Sequence, residues 1–333
     1  MKQAIFVGKQ DTVEYVYSAA TIHSLADELI FPYGSRVFAQ DELSSFDFSE
    51  IRFLFSTWGM CELTETEIDR YFPMLECVFY AAGSVQRFAR PFLQSGVKVV
   101  SAWAANGIPV AEYTVAQMIL ASKGYFSHLH LPGAGGSLQR SDHAFTGNYD
   151  MTIGLVGAGM IGRLVIERIH KILEHIRILV FDPFLSQEKA EELGVILCDL
   201  PTLFAQSDVI SNHLANNPAT VGMLNGKLFD AMKPYAVFIN TGRGAQVVEP
   251  ELIKALKEAP TRTALLDVTF PEPPLEGSPF YDMPNVFLTP HIAGSMGNEV
   301  HRMGEYMLEE YRLYAQNKPM RYEVTLDMLK TMA

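Results

Sequence analysis

The chain has 333 residues, 48% of them hydrophobic and 19% charged, which excludes a disordered polypeptide and suggests about two domains. Its formal net charge of -12 argues against nucleic acid or an anionic membrane surface as the main partner. No apolar run approaches the length that spans a bilayer, so no membrane partner is expected either.

The opening "MKQAIFVGKQ" contains an apolar run of four residues, shorter than a secretion signal, and reads as a first strand. Further strands are predicted at "IRFLFST", "LECVFYAAG" and "VKVVSAW", with crossover helices at "TETEIDRYF" and "RPFLQSG". From Ile108 to about His128 the residues are apolar all round, which predicts one long buried helix. The stretch "LPGAGGSLQRSDHAFTGNYD" then reads as an irregular connection. Six more strands follow in βα alternation: "MTIGLVG", "IRILVFD", "DVISNHL", "YAVFINT", "RTALLDV" and "NVFLTPH". That number completes a doubly wound parallel sheet. The tail from about Gly297 has helical periodicity. Cys61, Cys77 and Cys198 are scattered without a paired spacing and are expected to be reduced thiols of a cytoplasmic protein. No metal-ligand spacing such as HExxH occurs, so no metal is expected.

The first chemical signal is Gly157-Ala158-Gly159-Met160-Ile161-Gly162, set between a strand and an amphipathic helix. Gly157 permits the turn, Gly159 admits a pyrophosphate, and Gly162 lets helix and strand pack closely. The fingerprint alone is weak, because methyltransferases and plain structural turns share it. Here the next strand ends in Asp182, 20 residues after Gly162, where a carboxylate would accept both ribose hydroxyls of adenosine. No Lys or Arg directly follows to welcome a 2′-phosphate, so NAD is expected rather than NADP.

Three loops at strand ends carry the second signal. "FINTGRGAQV" places Arg243 between two glycines, "LLDVTFPEPP" holds Glu272 between prolines, and "FLTPHIAGS" presents His291. Singly, each has a plain alternative: a surface arginine at a turn, a proline-stiffened loop, a satisfied core histidine. Together they supply what oxidation of a hydroxy acid requires. A planar cation clamps a carboxylate and polarises the adjacent carbonyl, an imidazole carries the hydroxyl proton, and a carboxylate behind it fixes its tautomer.

With "GLVGAGMIGR", "FDP", "SDVISNHL", "INTGRGA", "ALLDV…PEP" and "NVFLTPHIAG" in order, the chain resembles the D-isomer-specific 2-hydroxyacid dehydrogenases, which include glyoxylate/hydroxypyruvate reductases and phosphoglycerate dehydrogenases. The similarity runs from about Tyr80 to Gly294; the first eighty residues match by strand pattern alone. The resemblance implies an α/β fold of two Rossmann-like or flavodoxin-like domains with parallel sheets, the first discontinuous in sequence. A substrate-binding domain would comprise residues 1–104 and 297–333, and an NAD-binding domain residues 105–296.

It also implies roles. Arg243, Glu272 and His291 would be the catalytic three, and backbone N–H groups at Ala82 and Gly83, with Asn106, would hold the substrate. Gly157, Gly159, Met160, Ile161 and Asp182 would bind NAD, with His213 and Leu214 along the adenosine side. Asp267, the backbone near Thr241 and Gly294 would meet the nicotinamide. The expected activity is hydride transfer between NAD(H) and a small D-2-hydroxy or 2-keto acid, in a cytoplasmic homodimer without a C-terminal regulatory domain. A non-enzymatic NAD sensor of the corepressor type is the alternative, since it keeps the Arg–Glu–His set. Formate dehydrogenases normally have glutamine at the Glu272 position, which counts against them. The chain departs from the family pattern at Val85, Gln86, Trp103, Ala104, Ala215, Asn216 and Phe270; none removes a catalytic group, but the changes around residues 84–86 and 103–104 touch the expected pocket, so no named substrate transfers.

Overall fold

A computed structural model of the chain describes residues 1–129 and 145–330. Most of the predicted irregular connection therefore lies outside the described residues. The strands are β1 (Gln3–Val7), β2 (Val37–Phe38), β3 (Ile51–Ser56), β4 (Cys77–Tyr80), β5 (Lys98–Ser101), β6 (Thr152–Val156) and β7 (Arg177–Phe181). They continue with β8 (Ile196–Leu197), β9 (Val209–Asn212), β10 (Val237–Asn240), β11 (Thr263–Leu266), β12 (Val286–Leu288) and β13 (Glu323–Val324). Two compact units result, Met1–Gly107 with Ser295–Ala333, and Ile108–Gly294.

The first unit is a sheet of order β13-β5-β4-β3-β1-β2, parallel except for antiparallel β13. Without β13 the order is the flavodoxin-like 2-1-3-4-5. Both faces are buried, as a parallel sheet requires. Phe6, Phe53, Phe55 and Phe79 fill one face under helix Val300–Ala315, and Ile5, Leu54, Val78 and Val99 fill the other. The Phe55 and Phe79 rings stack at 5.0 Å.

The second unit is a seven-stranded parallel sheet of order β12-β11-β10-β9-β6-β7-β8, the doubly wound dinucleotide order with one added strand. Its register decides everything that follows. Val156 pairs with Phe181 and Asn212, Asn212 with Asn240, Asn240 with Leu266, and Leu266 with Leu288. The residues immediately after these six ends, from Gly157 and Asp182 through His213, Thr241 and Asp267 to Thr289, therefore line one carboxyl edge.

Three strands escape the sequence pattern: β2, β8 and β13 have two residues each, too few to show a period. The long helix also differs from expectation. It begins at Trp103, includes Pro109 and ends at Ser122; Gly124, at φ 69°, then breaks the chain before a separate turn at Tyr125–His128. Nor is it wholly buried, because Leu120, Tyr125 and Leu129 in this region are 39%, 46% and 49% exposed. The three cysteines are free, and burial pushes the Cys61 thiol up to about 11. Among the described residues no helix is long and apolar enough to cross a membrane.

Candidate active site

The glycine loop is built as a phosphate cradle requires. Gly157 turns at φ 99°, and a Cβ there would lie 2.8 Å from the His213 carbonyl oxygen across the β6/β9 switch point. A Cβ on Gly162 would come within 2.3 Å of the Gly157 carbonyl oxygen, so only glycine allows the helix to start there. Gly159 faces open space and caps helix Met160–Ile172 without a side-chain bond. The N–H groups of Met160 and Ile161 are thus left for an anion.

Asp182 accepts one bond on each oxygen, from Ala158 N–H at 2.7 Å and Phe184 N–H at 2.8 Å. It ties the glycine loop to the end of β7 and keeps lone pairs for two ribose hydroxyls. A bound adenosine fits these residues, and a 2′-phosphate would meet the Asp182 carboxylate. His213 donates its backbone N–H to Val156, and its Nε2 lies 3.0 Å from Ser211 Oγ. Burial pushes its imidazole down to about 4, so the ring is neutral at physiological pH.

That depression makes stability depend on pH. The folded value lies below the ordinary 6.5 of an unfolded histidine, so the neutral-ring contribution is complete above pH 6.5 and is lost as pH falls toward 4. The loss amounts to roughly 2–3 kcal/mol. Urea unfolding of wild type and His213→Asn between pH 7.5 and 4.5 checks this, with a shallower acid decline expected for the variant. Identical declines would remove His213 as the source.

At β11 and β12 the geometry centres on Asp267, 3% exposed. Its Oδ1 accepts Thr289 Oγ1 at 2.7 Å and Ile292 N–H at 2.8 Å, and its Oδ2 accepts Ala293 N–H at 2.9 Å. The loop carrying His291 is wound around this one carboxylate. His291 itself sits at φ 54°, a left-handed conformation that costs a non-glycine residue about 1–2 kcal/mol and that these bonds sustain. Asp267, expected beside the nicotinamide, thus also spends three acceptor sites on shaping the histidine turn. One lone pair on Oδ2 remains. Gly294 closes the unit three residues after His291.

His291 Nδ1 lies 2.6 Å from Glu272 Oε1. The two side chains are 46% and 39% exposed, so the pair is reachable from solvent, and the bond to Glu272 is made by Nδ1 and leaves Nε2 uncommitted to it. Arg243 is mostly withdrawn from water; burial lowers its guanidinium below the ordinary value and the negative charge of Glu272 raises it. Its Nη1 donates to Gly242 at 2.8 Å, which leaves the rest of the fork to a ligand.

The flanking glycines act through space rather than through unusual torsions. A Cβ on Gly244 would come within 2.0 Å of the Thr269 carbonyl carbon, so this glycine lets the Arg243 loop abut the Glu272 loop. Glu249 fastens that second loop by accepting Phe270 N–H at 2.7 Å. Sequence reasoning missed Tyr113 and Thr114 on the long helix: Thr114 Oγ1 lies 3.2 Å from Thr241 Oγ1, and Tyr113 OH lies 3.0 Å from Thr289 Oγ1. Nothing short of the tertiary fold signals them.

Ala82, Gly83 and Asn106 belong to the first unit. Ser101 Oγ donates to the carbonyls of Ala82 and Gly83 at 2.8 and 2.7 Å, fixing the loop after β4. Ala82 departs from expectation, because its N–H already donates to Tyr80 O at 2.9 Å. The chain doubles back directly after β4 and consumes that donor. Asn106 accepts Ser295 N–H at 3.0 Å, and its Nδ2 faces Gly83. Of the departures from pattern, Trp103 packs edge-on to Tyr322 and Gln86 donates to Leu329 O at 2.8 Å.

Residues 116–293, just over half of the chain, match the family profile described as D-isomer specific 2-hydroxyacid dehydrogenase, NAD binding domain. The chain belongs to this family. It is 34% identical over 242 residues to D-3-phosphoglycerate dehydrogenase of Archaeoglobus fulgidus, a match covering 71% of this chain and 44% of that one. The match thus spans less than half of the relative's length. Among solved structures, the apo D-mandelate dehydrogenase of Rhodotorula graminis has a TM-score of 0.79 at 17% identity, covering 97% of this chain and 98% of that one. A probable 2-hydroxyacid dehydrogenase from Rhizobium etli CFN 42, in complex with NADP, HEPES and L(+)-tartaric acid, has a TM-score of 0.70 at 19% identity and covers 99% of this chain and 100% of that one. At such identities these neighbours show the fold, two Rossmann-like α/β units. The second unit is a dinucleotide-binding domain of the family.

Proposed function

We propose that this protein catalyses reversible hydride transfer between NAD(H) and a small D-2-hydroxy or 2-keto acid. The observation that carries the reading is the 2.6 Å His291–Glu272 pair, with the guanidinium of Arg243 in the field of Glu272. All three lie beyond strand ends of the sheet that bears the dinucleotide fingerprint. The nicotinamide supplies the hydride in reduction and takes it in oxidation.

Arg243 holds the substrate carboxylate and draws charge from the adjacent carbonyl. Protonated His291 donates from Nε2 to the carbonyl oxygen, while Glu272 accepts from Nδ1 and stabilises the imidazolium. In oxidation the neutral ring takes the hydroxyl proton at Nε2. Gly83 N–H and Asn106 Nδ2 are further substrate donors. Ala82 would join them only after giving up its bond to Tyr80. Gly157, Gly159, Met160 and Ile161 take the pyrophosphate and Asp182 the ribose. His213 and Leu214 border the adenosine, and the Thr241 backbone, Asp267 Oδ2 and Gly294 serve the nicotinamide.

NAD is preferred to NADP in this reading, because Asp182 would repel a 2′-phosphate and Pro183 and Phe184 follow it instead of a cation. The apolar residues Leu120, Tyr125 and Leu129 support a homodimer, and three free cysteines support a cytoplasmic setting. That the relative matched at 34% identity is a dehydrogenase favours an enzyme over a sensor. A panel of glyoxylate, hydroxypyruvate, pyruvate, branched, aromatic and phosphorylated keto acids, followed by NADH absorbance, tests the proposal. Oxidation of NADH with at least one member is expected. Tight NADH binding without turnover on any would favour the sensor.

A further inference from the structure

Between the ends of β9 and β10 lies a closed set of buried amides that the reaction as described does not use. Gln246, fully buried, fills all four of its hydrogen-bonding positions. Its Oε1 accepts Asn212 Nδ2 at 2.6 Å and Arg243 N–H at 3.1 Å. Its Nε2 donates to the carbonyls of Leu214 at 2.9 Å and Ala215 at 3.0 Å. Asn240 completes the set: its Oδ1 accepts Asn212 Nδ2 at 3.0 Å and Gly242 N–H at 3.1 Å, and its Nδ2 donates to Arg243 O at 3.2 Å. Asn212 Oδ1 in turn accepts Leu214 N–H at 3.2 Å.

Both backbone polar groups of Arg243 are therefore held by side-chain amides, and one of those amides also grips the loop expected to border adenosine. A carboxylate could not do this, because Gln246 must accept on one side and donate on the other. The cluster is also neutral, so it fixes the arginine without quenching its charge. A Cβ on Gly242 would lie 2.8 Å from Asn212 Nδ2 and 2.9 Å from Gln246 Oε1, which explains the glycine before the arginine.

We infer that Gln246 is the positioning residue for Arg243, setting the guanidinium to receive a carboxylate and joining it rigidly to the 213–215 loop. The inference rests on the proposed function only in giving Arg243 a carboxylate to bind. Gln246→Met keeps the length and volume but strands Arg243 N–H, one of the two Asn212 Nδ2 hydrogens and the Leu214 and Ala215 carbonyls, so the loop must relax. The kcat/KM for a keto acid is expected to fall about 10- to 100-fold, mainly through KM, as misplacement of a binding group does. In an Arg243→Ala background the same change should alter kcat/KM by about threefold or less, because the group it positions is gone.

Affinity of the NADH complex for oxamate, an unreactive carboxylate, should show the same non-additivity without any turnover. Asn212→Leu, which removes amide bonds from the same cluster but leaves Gln246 bonded to Arg243 N–H, is expected to lower thermal stability while kcat/KM and oxamate affinity change by about threefold or less. Gln246→Asn, an amide too short to make the same bonds, serves if Gln246→Met does not fold. Additive effects in the cycle, or equal losses of oxamate affinity in Asn212→Leu and Gln246→Met, would overturn the inference. No oxamate binding by wild type would overturn it too. Oxamate binding that depends on Gln246, with no keto acid turned over, would instead leave the inference standing and remove the dehydrogenase reading.

Discussion

Replacing His291 with asparagine is expected to lower keto-acid turnover by roughly 10²–10⁴-fold, the range for removal of a positioned acid-base group. NADH affinity should stay at the wild-type level. Asparagine is chosen for the backbone. His291 stands at φ 54°, and among non-glycine residues asparagine tolerates that region best. The Asp267 bonds go to Thr289, Ile292 and Ala293, none of which the substitution alters. A fall in turnover with unchanged melting temperature would therefore report proton transfer rather than loop collapse. Wild-type turnover in the variant would end the assignment.

Arg243→Lys is the second large effect. Lysine keeps the charge and most of the length but replaces a planar fork with a point charge. In the present geometry one guanidinium nitrogen is already committed to the Gly242 carbonyl at 2.8 Å, so the fork is aimed before any ligand arrives. An ammonium satisfying that carbonyl has two hydrogens left, but they diverge tetrahedrally and cannot match a carboxylate as two parallel bonds do. The expected loss is roughly 10²–10³-fold in kcat/KM, the usual size for removal of a charge-stabilising donor. Steady-state kinetics should place much of it in KM, with NADH affinity preserved. A variant with wild-type KM would show that the carboxylate is held elsewhere.

The sequence was informative where chemistry is local. Gly157 to Gly162 and Asp182 belong to adjacent strands, and the carboxylate that the spacing picks out bonds the loop that the glycines form, at Ala158. Arg243, Glu272 and His291 were legible because each follows a strand and is framed by glycine or proline. What stayed hidden depends on register. Asn212 and Asn240 look like ordinary polar strand ends; only the pairing of β9 with β10 sets them side by side under Gln246. Asp267 was legible as a strand-end acid, yet its grip on the histidine loop needs β12 beside β11. The Ala82 donor was miscounted because a doubling-back of one residue leaves no mark in composition. The helix start at Trp103 was missed because Pro109 suggests a first turn, although it lies in the second.

The central claim is that the loops beyond β10, β11 and β12 deliver a proton and a cation to a keto acid reduced by the bound dinucleotide. Tracing the label from NADH deuterated at the transferring position tests it most directly, using whichever keto acid of the panel is consumed. The account predicts deuterium bonded to the hydroxyl-bearing carbon of a D-2-hydroxy acid, in proportion to NADH oxidised. Label retained in the nicotinamide, or released to water, would contradict it.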